Sequence, residues 1–104
     1  MKEAYKRIEK IAPKDVASPE LLALKASEEL GELAAALFHD LGYKKTNKTK
    51  KEIKENILEE GVDNLVCVLG VLQKKGFEYK DIVKKLHKKL DKWEKIVDTR
   101  KINT

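Results

Sequence analysis

The chain has 104 residues, 39% of them charged and 41% hydrophobic, with a formal net charge of +5. That length suits one domain over residues 1–104 with a modest core, and the regular spacing of its apolar residues excludes a disordered chain. Five glycines, two prolines and 6% aromatics exclude collagen-like and Pro-rich classes and leave little for a β-rich core or a base-stacking surface.

The first ten residues are charged and hold no apolar run, so no secretory leader is expected there. Residues 4–11 suit a short helix stopped near Pro13. Ser18-Pro19-Glu20 is a helix start, with an N-cap, a proline in the first turn and an acid near the positive end of the helix dipole. Leu22, Ala26, Leu30, Leu33, Leu37 and Leu41 then recur at three- and four-residue spacing, which predicts a helix over 19–41 stopped by Gly42. Residues 43–48 read as a lysine-rich loop, either a solvated one or, over 44–51, an electrostatic lid. Thr49 and Glu52 form a capping box that opens the next helix. This helix carries Ile53, Ile57, Leu58, Leu65, Val68, Leu69 and Leu72, and it ends at Gly76.

Residues 65–72 are apolar nearly all round, so they need cover on every side, and a subunit interface is expected there. Eight such residues are too few to span a bilayer. The lone Cys67 lies within this run; it excludes an intramolecular disulfide and a Cys-rich zinc site, and it reads as a small buried apolar group. A last helix is predicted over 79–97, with Ile82, Val83, Leu86, Leu90, Trp93 and Val97 as its core-facing stripe and residues 98–104 as a frayed tail. The expected class is all-α: a helical bundle of three long helices and a short N-terminal one, completed by homo-oligomerisation. The expected compartment is the cytoplasm.

Charge is not spread evenly. Residues 59–73 carry three acidic and no basic side chains, whereas 44–58 carry six basic and two acidic, and 74–104 eleven basic and five acidic. Such alternation suits a protein that holds both a cation and a polyanion, although a solvated lysine-rich surface would have the same composition.

Two constellations carry the chemistry: Glu28-Glu29-Leu30-Gly31-Glu32 and Glu59-Glu60-Gly61-Val62-Asp63. Each has the form Glu-Glu-x-x-acid, and residues three apart on a helix point the same way within about 60°. Glu29 with Glu32, and Glu60 with Asp63, therefore flank the apolar stripes of consecutive helices, and antiparallel packing would bring the four together. Unscreened carboxylates would repel one another, and a hard divalent cation with oxygen ligands removes that repulsion. Few histidines and no second cysteine argue for Mg²⁺, with Mn²⁺ as the alternative, rather than zinc.

The ordered pair of motifs, with a basic loop between, resembles the MazG-like nucleotide pyrophosphohydrolases of the all-α NTP pyrophosphatase superfamily over residues 18–100. The resemblance implies a homodimer or homotetramer that hydrolyses nucleoside triphosphates to monophosphate and pyrophosphate with Mg²⁺, in the manner of nucleotide-pool housecleaning. It implies Glu29, Glu32, Glu60 and Asp63 as metal ligands. Glu28 or Glu32 would orient or deprotonate the attacking water. Lys89, Lys92 and Arg100 are the candidates for phosphate contact, in a stretch where relatives carry an Asn-Lys motif and a closing Arg; His87 stands where an Asn is usual. His39 reads as a helix-end or surface residue, and Trp93 as core. The competing readings are a non-enzymatic helical module for a protein or anionic partner and, less favoured, a nucleic-acid binder; sparse aromatics and the absence of a nucleic-acid motif weigh against the latter.

Overall fold

The computed structural model describes residues 1–42 and 45–103, with backbone alone at 101–103; Tyr43 and Lys44 of the lysine-rich loop and Thr104 of the tail lie outside the described residues. The described residues form four α-helices: α1 (Lys2–Ile11), α2 (Pro19–Asp40), α3 (Lys50–Lys74) and α4 (Tyr79–Asn103), with a 3₁₀ turn at Ala12–Lys14 after α1. The helix boundaries follow local chemistry. Ser18 Oγ accepts from Leu21 N at 3.1 Å, with Pro19 in the first turn of α2. Thr49 and Glu52 close the reciprocal capping box of α3 through two 3.2 Å bonds. Caps of this kind are each worth about 1 kcal/mol. Gly42 (φ 77°) and Gly76 (φ 88°) take the left-handed conformation just past the ends of α2 and α3, where a Cβ would be strained.

The centre of the fold is an antiparallel hairpin of α2 and α3. Asn64 meets Ala26, and Gly70 meets Leu22, so the residue numbers run in opposite senses along the contact. The seam of α2 runs through Leu22, Ala26, Glu29, Leu33 and Ala36, all buried or half-buried. The seam of α3 runs through Ile53, Ile57, Glu60, Asn64, Cys67 and Val71, again all buried or half-buried. Both follow the alternating four- and three-residue spacing of a coiled-coil seam. This differs from the stripe predicted for α2: Leu30, Leu37 and Leu41 are 57%, 45% and 64% exposed. Small side chains at Ala26 and Ala36 let the helices approach closely. The large leucines one position round are left on a second, uncovered face.

The N-terminus clamps one end of the hairpin. Tyr5 is 1% exposed, and its hydroxyl donates to the Phe77 carbonyl at 2.7 Å in the α3–α4 turn. Its ring lies 6.0 Å from that of Tyr79. Lys74 Nζ donates to the Asp15 carbonyl at 2.6 Å.

The fourth helix is different. It does not pack along α2 or α3, and none of its described residues is fully buried. Trp93, expected in the core, is 62% exposed, with Leu86 and Leu90 at 48% and 41%. The expected frayed tail is also helical, up to Asn103. No glycine or proline follows Val97 to stop the helix, Thr99 Oγ1 returns a 2.9 Å bond to the Lys95 carbonyl, and Arg100 suits the negative end of the helix dipole. The radius of gyration is 16.9 Å, against about 13 Å for a compact chain of this length. Within one chain the bundle is therefore open.

Candidate metal centre

The hairpin register puts acids where a coiled-coil seam ordinarily holds apolar side chains. Glu29 occupies a seam position of α2 and Glu60 one of α3, level with each other. Asp63 follows Glu60 by three residues and so lies one turn along. One carboxylate oxygen from each of Glu29, Glu60 and Asp63 lies within 4.8 Å of the others. Glu29 and Glu60 are half-buried, while Asp63 stands at the exposed rim.

Glu60 is the electrostatic centre. Its Oε2 is shut off from solvent and has no hydrogen-bonding partner among the described residues. The groups that face it are other carboxylates. Glu29 first, then Glu32, favour a proton on Glu60 that they could accept; burial and the like charges act in the same direction, so its carboxyl is pushed up from 4.5 to about 7. A sealed acceptor oxygen facing further acceptors is in an unfavourable environment unless a proton or a cation lies among them. The donor set is all carboxylate oxygen, the ligand type that hard divalent cations take. The residues present thus fit a hard divalent cation.

The other residues singled out from the sequence are placed as follows. Glu32 is exposed on α2, three residues from Glu29, and also faces Glu60. Glu28 and Glu59 are exposed, each turned about 100° round its helix from its neighbour in the trio. Lys89, Lys92 and Arg100 are exposed on α4, and the single chain does not bring that helix against the acid cluster. His39 is half-buried in the last turn of α2. Cys67 is buried, and desolvation holds its thiol above the ordinary range, which suits an inert packing residue.

Two features were not foreseen from the sequence. One is the inward position of Glu29 and Glu60 in the seam itself. The other is Asn64, whose Nδ2 donates to the Ala26 carbonyl at 2.7 Å, beside the acids. The available signal was the spacing: Glu60, Asn64 and Cys67 continue the heptad from Ile53 and Ile57, and only the polar character of two of them disguised it.

With the geometry in place, comparison with known proteins identifies the lineage. The family model described as phosphoribosyl-ATP pyrophosphohydrolase matches residues 1–90. The chain belongs to this family, a member of the all-α NTP pyrophosphatase (MazG-like) superfamily, whose members are hydrolases acting on phosphoanhydrides. No curated protein and no solved structure gives a significant match.

Proposed function

We propose, from that family membership, that the chain is a divalent-metal-dependent nucleotide pyrophosphohydrolase. It would cleave the bond between the α- and β-phosphates of a nucleoside triphosphate and release the monophosphate and pyrophosphate. Phosphoribosyl-ATP, named by the family description, is the first substrate to test within that class. The observation that carries the reading is the sealed, partnerless Oε2 of Glu60 among the carboxylates of Glu29, Glu32 and Asp63.

Glu29, Glu60 and Asp63 would hold Mg²⁺, or Mn²⁺ in its place, with Glu32 completing the set. A cation bound there would supply positive charge to the phosphate oxygens and make water more acidic. Glu32 lies nearer the solvent side of the cluster than Glu60, and it is the acid we assign to orienting the attacking water and taking its proton. Glu28, one residue round the helix, is the alternative. The water oxygen forms the new bond to the α-phosphorus, the bridging P–O bond breaks, and pyrophosphate departs with the electron pair. Lys89, Lys92 and Arg100 are proposed to neutralise the charge that gathers on the leaving group. In a single chain α4 lies away from the cluster, so this role requires a homodimer or homotetramer in which the uncovered faces of α2, α3 and α4 meet.

The test is a nucleotide panel that includes phosphoribosyl-ATP, assayed with and without Mg²⁺ for monophosphate and pyrophosphate in equal amounts. Metal-dependent release from at least one substrate is the expected result. No release from any of them, together with no Mg²⁺-induced rise in melting temperature, would leave the non-enzymatic helical module as the better reading.

A further inference from the structure

The acid cluster lies in a seam that ought not to hold it. At Glu29 and Glu60 two carboxyl groups face each other across α2 and α3, and when both are ionised they push the helices apart. Half-buried Leu33 and Ile57 pack on one side of that level, but on the other side the residues are small: Ala26 on α2, and Cys67 and Gly70 farther along α3. A Cβ on Gly70 would come 3.3 Å from Leu22 Cδ1, so the close approach there is one of backbone to side chain. Small residues allow such closeness but do not by themselves fix how far one helix has slid along the other.

Asn64 can fix it. It lies four residues after Glu60, and Ala26 lies three before Glu29, so the Asn64–Ala26 pair forms the layer next to the Glu60–Glu29 pair. Its 2.7 Å bond from Nδ2 to the Ala26 carbonyl is part-buried and directional, and it spans the two helices at one level. A polar asparagine at one seam position is a known device for setting helix register. We infer that Asn64 is a positioning residue. On this inference, which rests on the metal-site reading above, its amide holds α2 and α3 at the slide that brings the carboxylates of Glu29, Glu60 and Asp63 within reach of one cation. It touches neither substrate nor metal. A helix rises 1.5 Å per residue, so a slide of one residue would already separate oxygens that now share a 4.8 Å neighbourhood.

The experiment is a Mn²⁺ titration followed by electron paramagnetic resonance of the free ion. It compares the wild type, Asn64→Leu (similar size, no donor), Asn64→Ala, Asn64→Gln (donor kept) and Ile53→Val, a packing change at the far end of the hairpin. Metal-free melting and helix content are measured alongside. Asn64→Leu and Asn64→Ala are expected to lose about tenfold or more in Mn²⁺ affinity, in the range found for residues that orient metal ligands, while keeping wild-type helix content. Asn64→Gln should recover part of that loss, and Ile53→Val should bind as the wild type does even though it melts lower. Wild-type affinity in Asn64→Leu, or in Asn64→Ala should the leucine variant fail to fold, overturns the inference and leaves the metal reading standing. Equal loss in Ile53→Val also overturns it, since any weakening of the hairpin would then act alike. A wild type that binds no Mn²⁺ removes both.

Discussion

The α2–α3 hairpin and α4 are written in the same amphipathic code and end in opposite situations. In the hairpin each apolar seam finds its partner within the chain, and Ala26, Ala36, Ile53, Cys67 and Leu69 are all at most 8% exposed. In α4 the stripe of Leu86, Leu90 and Trp93 remains 41–62% exposed. The hairpin also carries the acids, whereas α4 carries most of the basic groups of residues 74–104. An amphipathic helix shows that a partner is needed, not where that partner comes from. The hairpin closes one seam within the chain because two complementary stripes meet, although Leu30, Leu37 and Leu65 stay exposed on its other face. The stripe of α4 packs along neither α2 nor α3 within the chain.

The largest effect expected from breaking the hairpin side of this contrast is on the chemistry. Glu60→Gln and Asp63→Asn preserve size and remove charge. On the metal-site reading, hydrolysis should fall by about 100-fold or more, and the Mg²⁺-induced rise in melting temperature should largely vanish. Metal-free stability should hold level or rise, since a repulsion is relieved. Glu20→Gln, in the first turn of α2, is the control and should match the wild type. A Glu60→Gln enzyme as fast as the wild type would falsify the site assignment.

The same carboxyl gives the hairpin a pH dependence. Glu60 is raised from 4.5 to about 7 in the fold, chiefly by Glu29 and Glu32, so between those values the folded chain holds a proton that the unfolded chain has lost. Metal-free stability should therefore fall as pH rises from 4.5 to 7, and this contribution should flatten above 7. A cation displaces that proton, so apparent metal affinity should climb over the same window. Thermal melts of metal-free wild type and Glu60→Gln across this range decide the matter; parallel profiles would remove Glu60 as the source.

An aspartate placed in each region should act very differently. Ile53→Asp puts an unpaired charge into a site 7% exposed and should unfold the chain or lower its stability by about 3 kcal/mol or more. Leu90→Asp should spare the helix content of the chain but weaken self-association, by about 2 kcal/mol if that leucine is buried between copies. Light scattering and circular dichroism separate the two. A wild type that is a stable monomer at micromolar concentration would show that nothing covers α4.

The smallest expected effects compare glycines within the hairpin. At Gly31 and Gly61 an added Cβ meets open space, so alanine should stabilise these helices by about 0.5–1 kcal/mol each through backbone entropy. At Gly70 the added methyl meets Leu22 Cδ1 at 3.3 Å, and the gain should be smaller or reversed. Denaturant melts of the three variants test whether the seam at Gly70 is as tight as its geometry indicates.

Much of the local structure was legible in the sequence. The cap at Ser18, the capping box at Thr49 and the stops at Gly42 and Gly76 act through residues only a few positions apart, so each could be read from its own neighbourhood. The two Glu-Glu-x-x-acid motifs were legible for the same reason: helical periodicity puts residues three apart on one face. The seam of α2 was not. Its large leucines drew the predicted stripe toward Leu30, Leu37 and Leu41, whereas close packing selected Ala26, Glu29 and Ala36, because the distance between helices depends on both at once. The exposure of Trp93 and the helical course of residues 98–103 were likewise out of reach, since the first depends on whether α4 has a partner and the second on the absence of anything to stop it. Capping and periodicity were enough to read that there are helices, where they start and which residues could bind a cation. That Glu29, Glu60 and Asp63 share one neighbourhood, with Asn64 bonded to Ala26 beside them, emerged from the packing of α2 on α3. Periodicity fixes angle around a single helix, and the slide of one helix along another is set by contacts between residues far apart in the chain.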